Sequence, residues 1–452
     1  MEEERDLQEE LRELLETRQY TRLRQTLADM NEADIAAVMD EMEDEVSLKM
    51  FRMLPKDMAA DVFAQLEIDA QQYIITSLSD KEAGNVIDNL MADDATDLLE
   101  EMPANVVRRI LANAQPETRA DINNLLRYPE DSAGSIMTVE YVDLKEEMTV
   151  ADAIERIRKI GLDSETVSIC YVIDNSRILK GTVALRYLLI HDPEDRIGDF
   201  MNETVISIKT TDDQEEAADK FRKYDLIVMP VVDNEMRMVG IITIDDVVDI
   251  IDVEATEDIE KMAAMIPSDK PYLKTGIFET YKKRMPWLML LMISATLTGK
   301  IMARYESALA TYTILTVFVP MLMDTAGNAG SQASTSIIRG LSLDEIEPRN
   351  FLSVIFKEWR VALLCGGSLA LINLVKLLVI DRVPLVIAGV VCVTMICVVM
   401  FAKCVGSMMP LIAQRIGLDP AVVAAPMLTT IVDAVALIIY FTISTRVLHI
   451  AM

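Results

Sequence analysis

Five long apolar segments, near residues 286–305, 312–338, 353–380, 384–414 and 420–446, limit what this chain can fold into more than any other feature. Each reaches the roughly 20 residues a helix needs to span hydrocarbon. The last part, 271–452, is therefore expected to be an all-α transmembrane domain of five helices. Flanking charge sets its orientation. With the N-terminal side cytoplasmic, the inner flanks hold Lys274, Lys282, Lys283, Arg284, Arg339, Arg349, Lys357, Arg360 and Arg415, and the outer flanks only Arg304, Arg382 and Arg446. The preceding domains are then expected in the cytoplasm, below an inner cell membrane, and the C-terminus outside.

What precedes the spans has the opposite character. Residues 1–270 hold 63 acidic and 28 basic side chains, against 10 and 15 in the remainder. Such a field repels phosphates, which argues against nucleic acid and makes a cation the natural partner. Cys365, Cys392, Cys397 and Cys404 fall in apolar runs and Cys170 in a strand-like stretch, so they read as small buried hydrophobes rather than a disulfide framework. His191 and His449 are far apart in sequence, and a zinc or copper site is hard to assemble from them. Any metal handled here is expected to meet oxygen. No nucleophile, base and orienting group share a motif, which argues against an enzyme. The start, MEEERDLQEE, is acidic and has neither the basic start nor the apolar core of a signal peptide.

Residues 1–130 repeat apolar positions at three- and four-residue spacing, as in ADIAAVMDEM, MAADVFAQL and ATDLLEEM, with turns at Leu54-Pro55-Lys56-Asp57, Ser79-Asp80-Lys81 and Met102-Pro103-Ala104. Stacked helix pairs in a small superhelix are expected, with an ordinary helical bundle as the alternative. From about Met137 a strand, helix, strand, strand, helix pattern occurs twice, over 131–199 and 200–257. Residues 246–266, DDVVDIIDVEATEDIEKMAAM, then read as one acidic helix leading to the spans.

The duplicated unit resembles a pair of cystathionine β-synthase (CBS) domains, an α/β fold. In that family a Gly, two apolar residues, Thr or Ser, two residues and Asp mark a nucleotide-ribose contact. The second copy has Gly240, Thr243 and Asp246, whereas the first has Ala184 and Tyr187 at the equivalent places. Binding of a nucleotide such as ATP and a structural or metal-sensing role both stay open, with the second preferred.

Two spans are interrupted where an inert anchor would be uniform. The second carries Pro320-Met321-Leu322-Met323-Asp324-Thr325-Ala326-Gly327-Asn328-Ala329-Gly330-Ser331-Gln332, whose glycines allow close backbone approach and whose Asn328 amide could line a wet path. The fifth opens with Asp419-Pro420-Ala421, has Pro426 further on, and places Asp433 near its middle. An intramembrane carboxylate is costly and normally faces a cavity or a partner, so Asp433 is a functional candidate, with helix packing as the plain alternative. Asp419 is a candidate too, or a simple helix N-cap before Pro420.

A duplicated CBS unit followed by five spans, with Gly-Asn-x-Gly-x-Gln in the second and Asp-Pro-Ala then Thr-Thr-x-x-Asp in the fifth, resembles the MgtE family of magnesium transporters over essentially the whole chain. Ala326 departs from the glycine usual before Gly-Asn in that family, and Lys300 and Lys403 are unexpected inside spans unless they snorkel or the spans end elsewhere. The resemblance implies a homodimer in the membrane with a magnesium path on its two-fold axis, where the Asp433 pair meets. It also implies that cytosolic magnesium binds between the soluble domains and closes the path. The matching carboxylates are Asp61, Asp93 and Asp97 in the helical domain, Asp213, Glu215 and Asp225 in the second CBS unit, and Asp246, Asp249, Glu254, Glu257 and Asp258 on the connecting helix. Two like charges about 4 Å apart repel by roughly 1 kcal/mol in water and about 4 kcal/mol at an effective dielectric near 20. Divalent cations would draw such a field together. A solvated acidic face is the alternative for any one of these residues. Two other functions stay open: a broader carrier that also passes cobalt or manganese, and a tethered metal or nucleotide sensor that does not conduct.

Overall fold

The computed structural model describes residues 10–15, 17–55, 58–268, 272–273, 275–306, 310, 312–343, 345–422 and 425–449. Residues 1–9 of the acidic start, Lys56 and Asp57 of the first turn, Lys274 of the inner flank and the side chain of Pro426 lie outside them. The chain forms two compact units, Met1–Ile251 and Asp252–Met452.

In the first unit, nine described helices follow one another: α1 (Tyr20–Ala28), α2 (Glu32–Asp40), α3 (Asp44–Phe51), α4 (Ala59–Ala64), α5 (Ile68–Ser77), α6 (Asp80–Ile87), α7 (Ala92–Glu100), α8 (Ala104–Leu111) and α9 (Pro116–Leu125). Helices of six to ten residues are marginal alone, and packing must hold them. From α2 to α9 each packs on the helix two places along, as α2 on α4, α3 on α5 and α7 on α9. This is the stacked superhelix, filled by Leu23, Ile35, Met50, Phe63, Ile74 and Leu98. The same device is used twice across the stack. Asp40 accepts the Glu67 N–H at 3.1 Å and Asp88 accepts the Gln115 N–H at 2.7 Å, each joining the end of one helix to the start of another 27 residues later.

The α/β part contains two sheets of identical topology. One holds β1 (Tyr141–Leu144), β2 (Thr166–Ile173) and β3 (Leu179–Ala184), the other β4 (Ile208–Lys209), β5 (Val228–Val232) and β6 (Met238–Thr243). In both, the first pair is parallel and the second antiparallel, and the registers Val172↔Gly181 and Val231↔Gly240 correspond. A Cβ on Gly240 would meet the Thr138 carbonyl at 2.5 Å, so this position takes only glycine. The intervening helices are α10 (Val150–Ile160), α11 (Leu185–Ile190) and α12 (Gln214–Tyr224), and α13 (Ile244–Met262) follows β6. The boundary between the units falls within α13. This connecting helix starts two residues before its expected limit and ends four before it. Ala264 has φ +55°, and the Met265 N–H turns back to the Glu260 carbonyl at 2.9 Å, closing the helix without a glycine.

The second unit holds α14 (Ile277–Arg304), α15 (Ile314–Ser342), α16 (Phe351–Val379), α17 (Leu385–Arg415) and α18 (Ala425–Val447). Central α17 packs on α15, α16 and α18, while α14 lies against α18 with none of its residues buried. Leu364, Leu371, Ile372 and Val375 point outward from α16, an apolar face that hydrocarbon would cover. Among the described residues α14, α16, α17 and α18 are long and apolar enough to cross a membrane. Helix α15 has the length, 29 residues, but carries too many polar groups to qualify by composition.

All five cysteines are free. Cys170 and Cys392 are buried as expected, whereas Cys397 is exposed and Cys365 and Cys404 are half-buried, because a span turns part of its apolar surface outward. Lys403 does not snorkel. It is 5% exposed and its ammonium lies 3.9 Å from Glu358 of α16, a pairing across helices that the one-dimensional pattern conceals. Lys300 is exposed one turn before the end of α14.

Candidate functional site

Two places in the fold concentrate polar chemistry. The first is on the helix bundle, along the outward face of one of its helices. On α15, Asp324, Asn328, Gln332 and Ser336 recur every four residues and are exposed, while Ala326, Gly327, Gly330, Ala333 and Ile337 are buried. The result is a polar stripe along an otherwise apolar helix. Small residues seat this helix closely. A Cβ on Gly406 of α17 would lie 2.3 Å from the Gly330 carbonyl oxygen, and one on Gly330 would lie 3.2 Å from that of Ala402. Gly327 faces Thr429 of α18, where an added Cβ would sit 3.4 Å from Cγ2, so the Gly-Asn stretch and the Thr-Thr-x-x-Asp stretch are neighbours. Asp433 is half-buried, and among the described residues it makes no ion pair. The acidic group acting on it is Asp324, a carboxylate the sequence reading quoted without singling out. Its signal was present: it stands one turn before Asn328 on the same face.

At one end of this bundle the C-terminal turns of α13 meet the ends of the spans. Lys261 places its ammonium 2.6 Å from Glu257 and 2.8 Å from Asp419. Asp258 accepts from the Ser342 hydroxyl at the end of α15, at 3.5 Å. Burial alone would lower the Lys261 pKa, but the Asp419 and Glu257 carboxylates outweigh it and raise it. Burial raises the Asp258 carboxyl, with Asp419 adding to the rise and Lys261 opposing it. Asp419 also accepts the Ala421 N–H at 2.7 Å, a capping contact, although α18 itself starts at Ala425. Glu254 lies one turn before Asp258, half-buried.

The second place lies in the first unit, where α7 and the start of α13 bring Asp93, Asp94 and Asp246 within electrostatic reach of one another and of Glu165. Asp93 is buried and its carboxyl is held well above the usual range by that burial, then by Asp94 and Asp246. Burial, followed by Asp246 and Asp245, pushes Asp94 up to about 6 and Glu165 up to about 7. Burial raises Asp246 too, against the Thr243 hydroxyl, which donates to it at 2.7 Å. Asp97 is exposed on the same helix, Asp61 is exposed on α4 and acts on Asp94, and Asp249 is exposed one turn after Asp246.

Of the remaining three candidates, Asp213 and Glu215 stand together at the start of α12 and Asp225 at its end. Asp213 caps α12 and accepts the Glu215 N–H at 2.9 Å, whereas Asp225 closes the other end of that helix with φ +51°. Twelve residues at 1.5 Å each put about 18 Å between them. At this second place Asp94 and Glu165 are acidic residues that sequence reasoning missed. Only the packing of α7 and the β2 approach on α13 makes them neighbours. Among the described residues no group of three or more His, Cys, Asp or Glu is placed to hold one metal ion.

A carboxyl whose folded pKa exceeds its unfolded value favours the fold while protonated. That stabilisation is lost as pH rises from about 4 through about 7. In buffer without divalent ions, thermal unfolding of the soluble unit in the intact protein is expected to move to lower temperature between pH 5 and pH 8. Each kcal/mol lost should shift it by about 2–4 °C. An unchanged or rising midpoint over that interval would show that these carboxylates do not crowd one another.

A family model described as a divalent cation transporter matches residues 319–443, and an MgtE intracellular N domain and a CBS domain match 30–131 and 197–253. Over 443 residues the chain is 37% identical to the magnesium transporter MgtE of Thermus thermophilus, covering 97% of this chain and 98% of that protein. The chain belongs to the MgtE family. Its similarity to the Bacillus subtilis magnesium transporter MgtE is 30% over 428 residues, covering 94% of each. Two solved structures match the MgtE-type soluble region. The soluble part of a magnesium transporter is 29% identical with a TM-score of 0.53, covering 56% of this chain and 99% of that one. The cytosolic domain of the Mg2+ channel MgtE in complex with ATP is 37% identical with a TM-score of 0.51, covering 53% and 98%. As an MgtE-family member the chain is a multi-pass membrane protein of transporter class, with a helical N domain, CBS fold and apolar helices.

Proposed function

We propose that this MgtE-family chain is a magnesium channel or transporter that mediates magnesium uptake, closed by cytosolic magnesium bound to its acidic soluble domains. The observation that supports it most is the meeting of two polar motifs at membrane depth on an apolar bundle, with Gly327 against Thr429, Asp433 half-buried, and Asp324 and Asn328 on the outward face beside that contact. Carboxylates and amides in such a place need water, a partner or a passing cation. Magnesium gives up water reluctantly and uses one or two carboxylates at a time, so a sparse oxygen lining suits a hydrated ion. The choice of ion draws on the relatives named magnesium transporters.

A homodimer doubles each ligand, with the α15 stripes and the Asp433 pair facing a path on the two-fold axis. The soluble domains are cytoplasmic and the C-terminus external. In the sensor, Asp93, Asp97, Asp246 and Asp249, with Asp61, supply only oxygen, and the crowding of Asp93, Asp94 and Asp246 is what a hard divalent ion relieves. Such ions bridge pairs of carboxylates and draw the domains together, and α13 carries that contraction to the mouth at Asp419. For the CBS pair a structural or metal-sensing role is preferred, and a nucleotide such as ATP is the second reading, favoured by Gly240, Thr243 and Asp246 in the second copy. Ion flux into liposomes holding the purified protein tests the reading. Magnesium is expected to enter against equimolar manganese. Equal manganese and magnesium flux would remove selectivity and favour the broader carrier, and no flux would favour a tethered sensor.

A further inference from the structure

One contact at the mouth has no part in a purely divalent account. Glu257 and Asp419 are both candidate magnesium ligands, yet the group between them is an ammonium. Lys261 lies 2.6 Å from Glu257 and 2.8 Å from Asp419, with roughly a quarter of its side chain exposed. Glu257 stands one turn earlier on α13, so that pair orients the lysine along its own helix. Asp419 belongs to the segment before α18, so the second pair fastens the helix end to the pore domain. Asp258, next to Glu257, reaches Ser342 on α15. The last turns of α13 are thus tied to the ends of two spans, and the charge-bearing tie is made by this chain's own cation. Partly buried pairs are screened less than surface ones.

We propose that Lys261 is a built-in counter-cation of the closed mouth, and that it sets how little cytosolic magnesium is needed for closure. This rests on the reading that magnesium closes the path. Glu257, Asp258 and Asp419 carry three negative charges, and Lys261 leaves a net charge of two for a divalent ion to neutralise. Without the lysine the three carboxylates repel at the moment α13 docks, and the docked state starts from a less favourable balance. By linkage, a docked state that is intrinsically rarer needs more ligand to fill it.

The test uses the full-length protein in liposomes, with magnesium influx followed as internal magnesium is varied. In parallel, protease protection of the segment after Met262 is followed in detergent with and without magnesium. For Lys261→Met the half-closing magnesium concentration is expected to rise about 5- to 30-fold, the span of 1–2 kcal/mol. Protection should require correspondingly more magnesium, and Lys261→Arg should stay close to wild type in both readouts. Half-closing at an unchanged or lower concentration in Lys261→Met overturns the proposal, since the lysine would then be idle or would compete with magnesium. Wild-type flux and protection that ignore internal magnesium would instead overturn the underlying reading, whatever the variant does.

Discussion

Replacing Asp433 by alanine is expected to lower magnesium influx at least 100-fold while the protein still assembles in the membrane. The carboxylate sits midway along α18, half-buried, beside the Gly-Asn stretch of α15 and under the influence of Asp324. A divalent ion about 4 Å from one carboxylate gains roughly 8 kcal/mol at an effective dielectric near 20, most of it offset by water the ion must reorganise. A residue of about 3 kcal/mol corresponds to the expected factor of 100. Folding should survive because Asp433 makes no ion pair among the described residues, and α18 is held by Leu428, Val432, Leu437 and Tyr440, all buried. Radiotracer or dye-reported influx in proteoliposomes, with size-exclusion behaviour as the folding control, checks it. Unchanged influx would make Asp433 a packing residue and move the ion path away from it.

The second large effect concerns closure. Neutralising Glu254, Glu257 and Asp258 together, as E254Q, E257Q and D258N, is expected to leave influx near its maximum at internal magnesium that shuts the wild type. All three lie on α13 in the turns that end at Lys261, so the variant removes the charges that need a divalent ion, the Glu257 pair that orients Lys261, and the carboxylate at Ser342. The influx at low internal magnesium should be unaltered, because the residues lining the bundle are intact. Closure with unchanged magnesium dependence would exclude α13 as the element through which the ion acts.

Much of this was legible in one dimension because the governing terms are local. A polar residue every fourth place on α15 and a carboxylate within an apolar run are patterns of sequence, and so is the repeat that yields two sheets in matching register. The α13 boundary was misplaced because its stop is a non-glycine residue with positive φ, Ala264, which carries no composition signal. Asp94 and Glu165 were missed for a different reason. Their crowding with Asp246 is made by tertiary packing. Lys261 and Lys403 share that cause. A lysine in an acidic helix looks like part of a solvated face, and a lysine in a span looks misplaced, until Asp419 and Glu358 are found beside them.

Influx of magnesium into vesicles carrying the intact protein, measured at fixed external magnesium and fixed driving force while internal magnesium is raised from trace to millimolar levels, bears most directly on the account. Influx should be fast at trace internal magnesium and shut down as the ion accumulates, with protease protection of the connecting segment rising over the same range. Influx and protection that stay constant across that range would contradict it.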